Sequence, residues 1–432
     1  MTSLRYSIII TFFFLFAAAT TEAQTLAQQR CDAMEKGMNI SNWLERHWDA
    51  NWPTAGGYTK QDLVRMQEAG ITSIRLPIGF HGVVDANAPY EVDTAHVLFD
   101  LIDSVIQWTD ELNMKLIIDN HHGWDLTPEN WRPQLPMFSH LWSVVAQRYQ
   151  NLDPDRVFLE LMNEPTLAFP EDSLRIMYSD AIDSIRQHTV EHSIIVSPHF
   201  GGTAMVFLDW EPMADTNIIY TWHIYDPLDF SHQGLTWNNP SFPAGTPFPT
   251  GDTTFFENFL FTGWERALTW RNTYQLPLMM GEFGLSGYCD STSVCNWLEY
   301  TMTRLKQNHI PWFYWDWQWD FSMFNSHVIS EDSIYPCYKY YLGLYGDDTF
   351  TDVQQIESES ELTLYPNPTS EWFALNVPKP FELAIFDITG RKLLQQKMAS
   401  SEKVDVSDWK SGIYLVVFKV DDAIYSKRLV VQ

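Results

Sequence analysis

The sequence predicts an α/β chain: a (β/α)8 barrel followed by a small all-β sandwich. Three observations point there. Short apolar runs rich in Ile, Val and Leu alternate with amphipathic stretches of helical length from Gly37 to Asp316, the pattern of βα units around a parallel sheet. An acid-only stretch, Asp347 to Glu361, carries six acidic and no basic residues and reads as a solvated linker. Beyond it, alternating runs such as FELAIFDI, IYLVVFKV and KRLVV are separated by turn formers, the signature of a small antiparallel fold.

The elements follow in order. MTSLRYSIIITFFFLFAAATTEAQ has one positive charge at Arg5, an apolar run from Ile8 to Ala19 and small residues before a cut after Ala23, so residues 1–23 read as a secretory signal peptide. That run is shorter than the roughly 20 residues of a membrane span, and no later segment qualifies, so no membrane span is expected. Residues 24–346 form the expected barrel domain. Its eight candidate strands are GMNISN from Gly37, SIRLPI from Ser73, KLIIDN from Lys115, VFLELM from Val157, SIIVS from Ser193, IIYTWH from Ile218, PLMMGE from Pro277 and WFYWD from Trp312. Between the first two, TKQDLVRMQEAG has Thr59 as a helix cap and Gly70 as its stop. A doubly wound open sheet is the competing architecture, but no GxGxxG or Walker loop accompanies it. The linker spans 347–361 and the tail domain 362–432; the tail is nearly neutral, with 9 basic and 8 acidic residues.

Composition narrows the function. The 432 residues are 45% hydrophobic, enough for a large core, which excludes a disordered or fibrous chain. Lys and Arg total 27 against 55 for Asp and Glu; a formal charge of −28 repels phosphate backbones, so nucleic acid is not an expected partner. Aromatic residues make up 15%, with 19 Trp, more than a core alone requires. Trp43, Trp124, Trp131, Trp222 and Trp237 fall at or after strand ends, where a ring either stacks on a ligand or packs the loops. The four cysteines of an exported chain allow two disulfides in three connectivities. Cys289 and Cys295 lie six residues apart after the seventh strand and are expected to pair, leaving Cys31 for Cys337.

In a barrel the chemistry sits where strands end at the carboxyl face. Arg75 lies in the second strand, Asn120-His121-His122 end the third, Asn163-Glu164 the fourth, His223-Ile224-Tyr225 the sixth, Glu282 the seventh, and Trp315 closes the eighth. Arg75 alone reads as the charge partner of a buried carboxylate, Glu160. The His121-His122 pair has no evident third ligand and HExxH is absent, so no metal and no cofactor are expected. Two carboxylates on different strands, Glu164 and Glu282, amid Asn, His, Tyr and Trp, form the constellation of glycoside hydrolysis: one protonated carboxyl for the leaving oxygen and one carboxylate facing the anomeric carbon.

Six motifs extend this reading. VFLELMNEP resembles the acid/base motif of the family 5 glycoside hydrolases and PLMMGEFG their nucleophile motif, while IRLPIGF, LIIDNHH, YTWHIYD and WFYWDW resemble their other strand ends, in order. The resemblance implies Glu164 as acid/base, Asn163 on the sugar 2-hydroxyl, and Glu282 as nucleophile supported by Arg75 and Tyr225. It further implies His121, with His122 beside it, and His223 as hydrogen-bonding residues, and Trp315 as the platform under the reacting sugar. WFYWDWQWDF resembles the eighth-strand region of β-1,4-endoglucanases, so the implied activity is a secreted retaining endo-β-1,4-glucanase acting on a β-linked polysaccharide. A mannanase, xyloglucanase or mixed-linkage β-glucanase on the same scaffold, or a non-catalytic glycan-binding protein, is the alternative. In the tail, LTLYPNPTS, FELAIFDITGRKLL, SGIYLVVF and KRLVVQ resemble the C-terminal sorting domain read by the type IX secretion machinery, which implies a secreted or surface location in a gram-negative bacterium. A carbohydrate-binding module is the alternative for the tail.

Overall fold

In the computed structural model the described residues are 24–346 and 363–431, less 55–56, 122–128, 166–169, 199–209, 239–240, 250–260 and 325–330 in the first part and 378, 388–391, 400–401, 411 and 421–422 in the second. The expected signal peptide and acidic linker lie outside the described residues, as do His122 and Trp124.

All eight candidate strands form. They are β1 (Lys36–Asn39), β2 (Ser73–Ile78), β3 (Lys115–Asn120), β4 (Val157–Glu160), β5 (Ile194–Val196), β6 (Ile218–Ile224), β7 (Leu278–Phe283) and β8 (Trp312–Tyr314), closed as one parallel barrel in sequence order. The helices are α1 (Leu26–Asp32), α2 (Lys60–Glu68), α3 (Val97–Glu111), α4 (Trp131–Tyr149), α5 (Glu171–Arg186), the short α6 (Leu228–Ser231), α7 (Phe261–Tyr274), α8 (Ser291–Gln307) and α9 (Pro336–Tyr341). Helix α2 starts at a capping box between Thr59 and Asp62 and is followed by Gly70 at φ +93°, as its start and stop signals require.

Inside the barrel, strand alternation builds layers. Ile117, Phe158, Ile195, Ile219, Met279 and Phe313, one per strand from β3 to β8, form a buried cluster with Ala27, Cys31 and Met34 from the α1 segment, which plugs the amino end. On β1 the matching residue is Gly37, where a Cβ would meet the Phe313 ring at 2.1 Å. Two residues further along, the same strands present Asn39, Arg75, Asp119, Glu160, Ser197, Thr221, Gly281 and Trp315. The floor of the carboxyl-end cleft is therefore polar where the layer beneath it is apolar.

The expected cysteine pairing is corrected here. Cys295 pairs with Cys337 at a Cα–Cα distance of 5.2 Å, and Cys31 and Cys289 remain thiols. Cys31 is sealed in the apolar plug, out of reach of Cys337 on α9. The Cys289 Sγ donates to the Phe230 carbonyl at 3.3 Å, away from Cys295 on α8. Sequence spacing did not reveal that α9 folds back onto α8.

The tail is the expected two-sheet fold, of strands β9 (Thr363–Tyr365) to β15 (Ala423–Val431): a three-stranded sheet in the order β13-β10-β9 and a four-stranded one in the order β12-β11-β14-β15. Phe373, Leu375, Leu383, Ile385, Val416, Phe418 and Leu429 form its core.

Candidate active site

Arg75 is the centre of the site. It is fully buried, and each of its donors is engaged. Nε and Nη2 form a bidentate pair with Glu160 at 2.8 Å each, and Nη2 also reaches Asn163 Oδ1 at 2.7 Å and Asp119 Oδ2 at 3.0 Å. Nη1 donates to Asn39 Oδ1 at 3.0 Å and Glu282 Oε1 at 2.7 Å. The arginine is both the partner of Glu160 and the cation beside Glu282.

Glu282 reaches the cleft through irregular pairing. The β6–β7 register shifts between Trp222 and His223, and the β7–β8 register between Met280 and Phe283, which sets Glu282 opposite His223. Such bulges re-aim side chains. Two glycines allow the close approach: a Cβ on Gly281 would come within 2.4 Å of Thr221 Oγ1 and 3.0 Å of His223 Nε2, and one on Gly284 within 1.9 Å of the Trp315 carbonyl oxygen. Tyr225 donates its hydroxyl to Glu282 Oε2 at 2.9 Å.

Glu164 follows β4, and its Oε1 bonds His223 Nδ1 at 2.6 Å; the same nitrogen is 3.7 Å from Glu282 Oε2. One oxygen of each glutamate and a nitrogen of His223 lie within 4.8 Å of one another. Across the cleft, His121 Nδ1 bonds Asp119 Oδ2 at 2.6 Å, and the His121 ring stacks on Trp315 at 5.3 Å and 8°. The Trp315–Asp316 peptide is cis.

The two glutamates differ in their surroundings. Burial raises the pKa of both. The Glu164 side chain keeps 39% of its surface open to the cleft, but the protein walls around it push its carboxyl up to about 7. Glu282 is pulled back toward ionisation by His223, by the Arg75 guanidinium and by the Tyr225 hydroxyl. Arg75 and Tyr225 both donate to Glu282, which favours its ionised form. Burial lowers the pKa of His121 and His223, with Glu282 opposing it at His223.

Glu164, Glu282, Arg75, Asn163, His121, His223, Tyr225 and Trp315 therefore converge. Among the described residues, Glu164, His223 and Glu282 are also the one group with metal-ligand spacing, although Arg75 already occupies Glu282 Oε1. Asn39 and Asp119 were not singled out from the sequence; each is a polar residue inside an apolar run, the signal that would have found them. Of the candidate tryptophans, Trp43, Trp131 and Trp222 are buried in packing and Trp237 is exposed.

Residues 29–320 match the cellulase family, glycosyl hydrolase family 5. The chain belongs to that family. Residues 363–432 match the secretion system C-terminal sorting domain. Among relatives of this family 5 chain, Endoglucanase 3 of Fibrobacter succinogenes is 26% identical over 359 residues, 73% of this chain and 54% of that protein. Endoglucanase H of Acetivibrio thermocellus is 24% identical over 285 residues, 66% of this chain and 29% of that protein. The chain thus spans about half of the first relative and under a third of the second. The crystal structure of endoglucanase Cel5A from the hyperthermophilic Thermotoga maritima shares the fold, with a TM-score of 0.62 at 24% identity over 69% of this chain and 94% of that one.

Proposed function

We propose that this protein is a retaining endo-β-1,4-glucanase that cleaves cellulose-like β-glucans by double displacement. The observation that carries the reading is the separation of the two glutamates, with an oxygen of each inside 4.8 Å. Retaining enzymes hold their carboxyl groups about 5 to 5.5 Å apart, and inverting ones about 6.5 to 9.5 Å, to admit a water. Glu282, ionised beside Arg75 and Tyr225, attacks the anomeric carbon while Glu164 gives its proton to the departing glycosidic oxygen. The C–O bond breaks and a glycosyl ester forms on Glu282. Glu164, now a carboxylate, takes a proton from the water that attacks the ester, and both carboxyls return to their starting states. Asn163, fixed by Arg75, is placed for the sugar 2-hydroxyl, His121 and His223 for neighbouring oxygens, and Trp315 for the ring face. The endoglucanase names of the relatives support the substrate class, and an acidic surface does not impede a neutral glucan.

The test is chemical rescue. Glu282→Ala abolishes turnover on every substrate. Glu164→Ala spares an aryl glycoside whose leaving group needs no proton, and added azide accelerates it to a β-glycosyl azide. An α-azide, or rescue of Glu282→Ala in place of Glu164→Ala, reverses the two roles.

We further propose export through the signal peptide at residues 1–23 and then across an outer membrane by the type IX machinery, which reads the tail. Deleting 362–432 is expected to abolish export and leave hydrolysis by the purified barrel intact; loss of hydrolysis would overturn the separation of the two domains.

A further inference from the structure

Two buried polar atoms beside the reacting carboxylates have no hydrogen-bond partner among the described residues: Thr221 Oγ1 and His223 Nε2. Both residues belong to β6 and both are buried, Thr221 completely. The two atoms face the same point on the neighbouring strand. Trp222 pairs with Met280 and His223 with Glu282, so Gly281 is the extra residue of a bulge in β7. A Cβ on Gly281 would lie 2.4 Å from Thr221 Oγ1 and 3.0 Å from His223 Nε2. Any side chain at 281 would wedge the two atoms apart, and glycine leaves them facing one another. Buried hydroxyls and ring nitrogens are nearly always paired, and a valine would fill the place of Thr221 without the cost of burying a polar group. The hydroxyl hydrogen turns to suit its partner, so Thr221 is able to donate.

The other edge of the ring shows what such a bond is for. His223 Nδ1 lies 2.6 Å from Glu164 Oε1 and 3.7 Å from Glu282 Oε2. Two carboxyl oxygens at one nitrogen call for a hydrogen there, and in the neutral ring this leaves Nε2 as a bare acceptor. Burial and Arg75 lower the His223 pKa, while Glu282 and Glu160 oppose them. We propose that Thr221 is a positioning residue for the acid: its hydroxyl donates to His223 Nε2, which holds the ring so that Nδ1–H fixes Glu164 Oε1 and leaves the acid's proton to Oε2. The inference rests on the endoglucanase reading above. Thr221 is fully buried beneath the cleft and touches no substrate, so it acts through His223. Without this bond the ring turns toward another partner, and Glu164 loses the contact that aims its proton at the glycosidic oxygen.

The experiment compares kcat/KM of the full chain, Thr221→Val and Thr221→Ser on two substrates. Cellotetraose has a leaving sugar that needs a proton, and 2,4-dinitrophenyl β-cellobioside has a leaving group that needs none. Thr221→Val keeps the shape and removes the hydroxyl; it is expected to lose about tenfold on cellotetraose and less than about twofold on the aryl glycoside, and Thr221→Ser to restore the rate. The alkaline limb of the cellotetraose profile, where Glu164 gives up its proton, moves to higher pH in Thr221→Val, because a looser ring stabilises the Glu164 carboxylate less. Equal losses on both substrates, no loss on either, or an unmoved limb overturns the proposal. The ring is also read directly, by nitrogen NMR of the wild-type chain labelled at histidine, with His223 assigned by its loss in His223→Asn. The expected hydrogen is on Nδ1 alone at about pH 7, and a hydrogen on Nε2 overturns the proposal even where Thr221→Val fails to fold. A wild-type chain inactive on cellotetraose would instead overturn the endoglucanase reading, and the position of the ring hydrogen then decides the inference alone.

Discussion

Ile117, Phe158, Ile195, Ile219, Met279 and Phe313 sit one alternation below Asp119, Glu160, Ser197, Thr221, Gly281 and Trp315 on the same six strands. The lower layer is sealed, and Asp119, Glu160 and Arg75 in the upper one are equally inaccessible. Burial works for the lower layer, at about 25 cal/mol per Å² of apolar surface removed from water. It works against the upper one, where several carboxylates share one guanidinium and are held only by mutual pairing. The apolar layer closes the barrel, and any well-packed set of side chains would do that. The polar layer sacrifices stability to hold Glu282 and Asn163 in fixed positions beside a permanent cation, an arrangement that has a purpose in chemistry and none in folding.

Breaking each layer should separate these two roles. Arg75→Met strands Glu160, Asp119 and Glu282 together, and removing one partner of a buried ion pair costs about 3 to 5 kcal/mol. Turnover is expected to vanish as well, because Glu282 loses its cation; urea unfolding and kcat measure the two effects. Phe158→Ala opens a cavity in the lower layer at a similar cost of about 3 to 5 kcal/mol, but kcat/KM of the folded fraction stays within about threefold of wild type. Turnover surviving Arg75→Met would make the upper layer structural.

The sequence revealed the strands because each is an apolar run closed by polar residues, and a parallel barrel buries both faces of a strand. Glu164, Glu282, His121 and His223 were legible for the same reason. The way Glu282 enters the cleft was not. Strict alternation from Met279 through Gly281 would turn Glu282 outward, and only the register shifts beside His223 and Phe283 aim it at Arg75, while Phe283 packs against Trp297 and Trp312. A two-residue period has no means of signalling a bulge. The charge on Arg75 was legible, but not the number of acceptors gathered on it, because Asn39 and Asp119 come from strands far apart in sequence. The disulfide was hidden for a related reason, since Cys295 and Cys337 meet through the packing of α9 on α8 and not through spacing.

The smallest expected effect is the most selective between the layers. Asp119 is fully buried; its Oδ2 is shared by Arg75 at 3.0 Å and His121 at 2.6 Å, and among the described residues its Oδ1 has no hydrogen-bond partner. Burial pushes this carboxyl up to about 7, with Arg75 opposing and Glu164 adding repulsion. An unfolded Asp ionises near pH 3.9, so between about pH 4 and 7 the folded chain holds a proton that the unfolded chain has released. Stability from this proton is complete below about pH 4 and is lost as pH rises through 7. Glu164, Glu45 and Asp316 are also pushed up to about 7, and Glu160 and Glu282 are raised in the same direction, so the wild-type Tm should fall from pH 5 to pH 8. Asp119→Asn keeps an oxygen for Arg75 and His121 and removes the titration. Its stability should decline less over that range, by about 1 kcal/mol or more, read from urea unfolding at each pH. Phe158→Ala should lower the whole curve and leave its slope as in wild type, since no group in the apolar layer binds a proton in this range. An unchanged slope in Asp119→Asn would mean that Arg75 keeps Asp119 ionised even at pH 5, and that the proton belongs to another buried carboxyl, such as Glu164, Glu45 or Asp316.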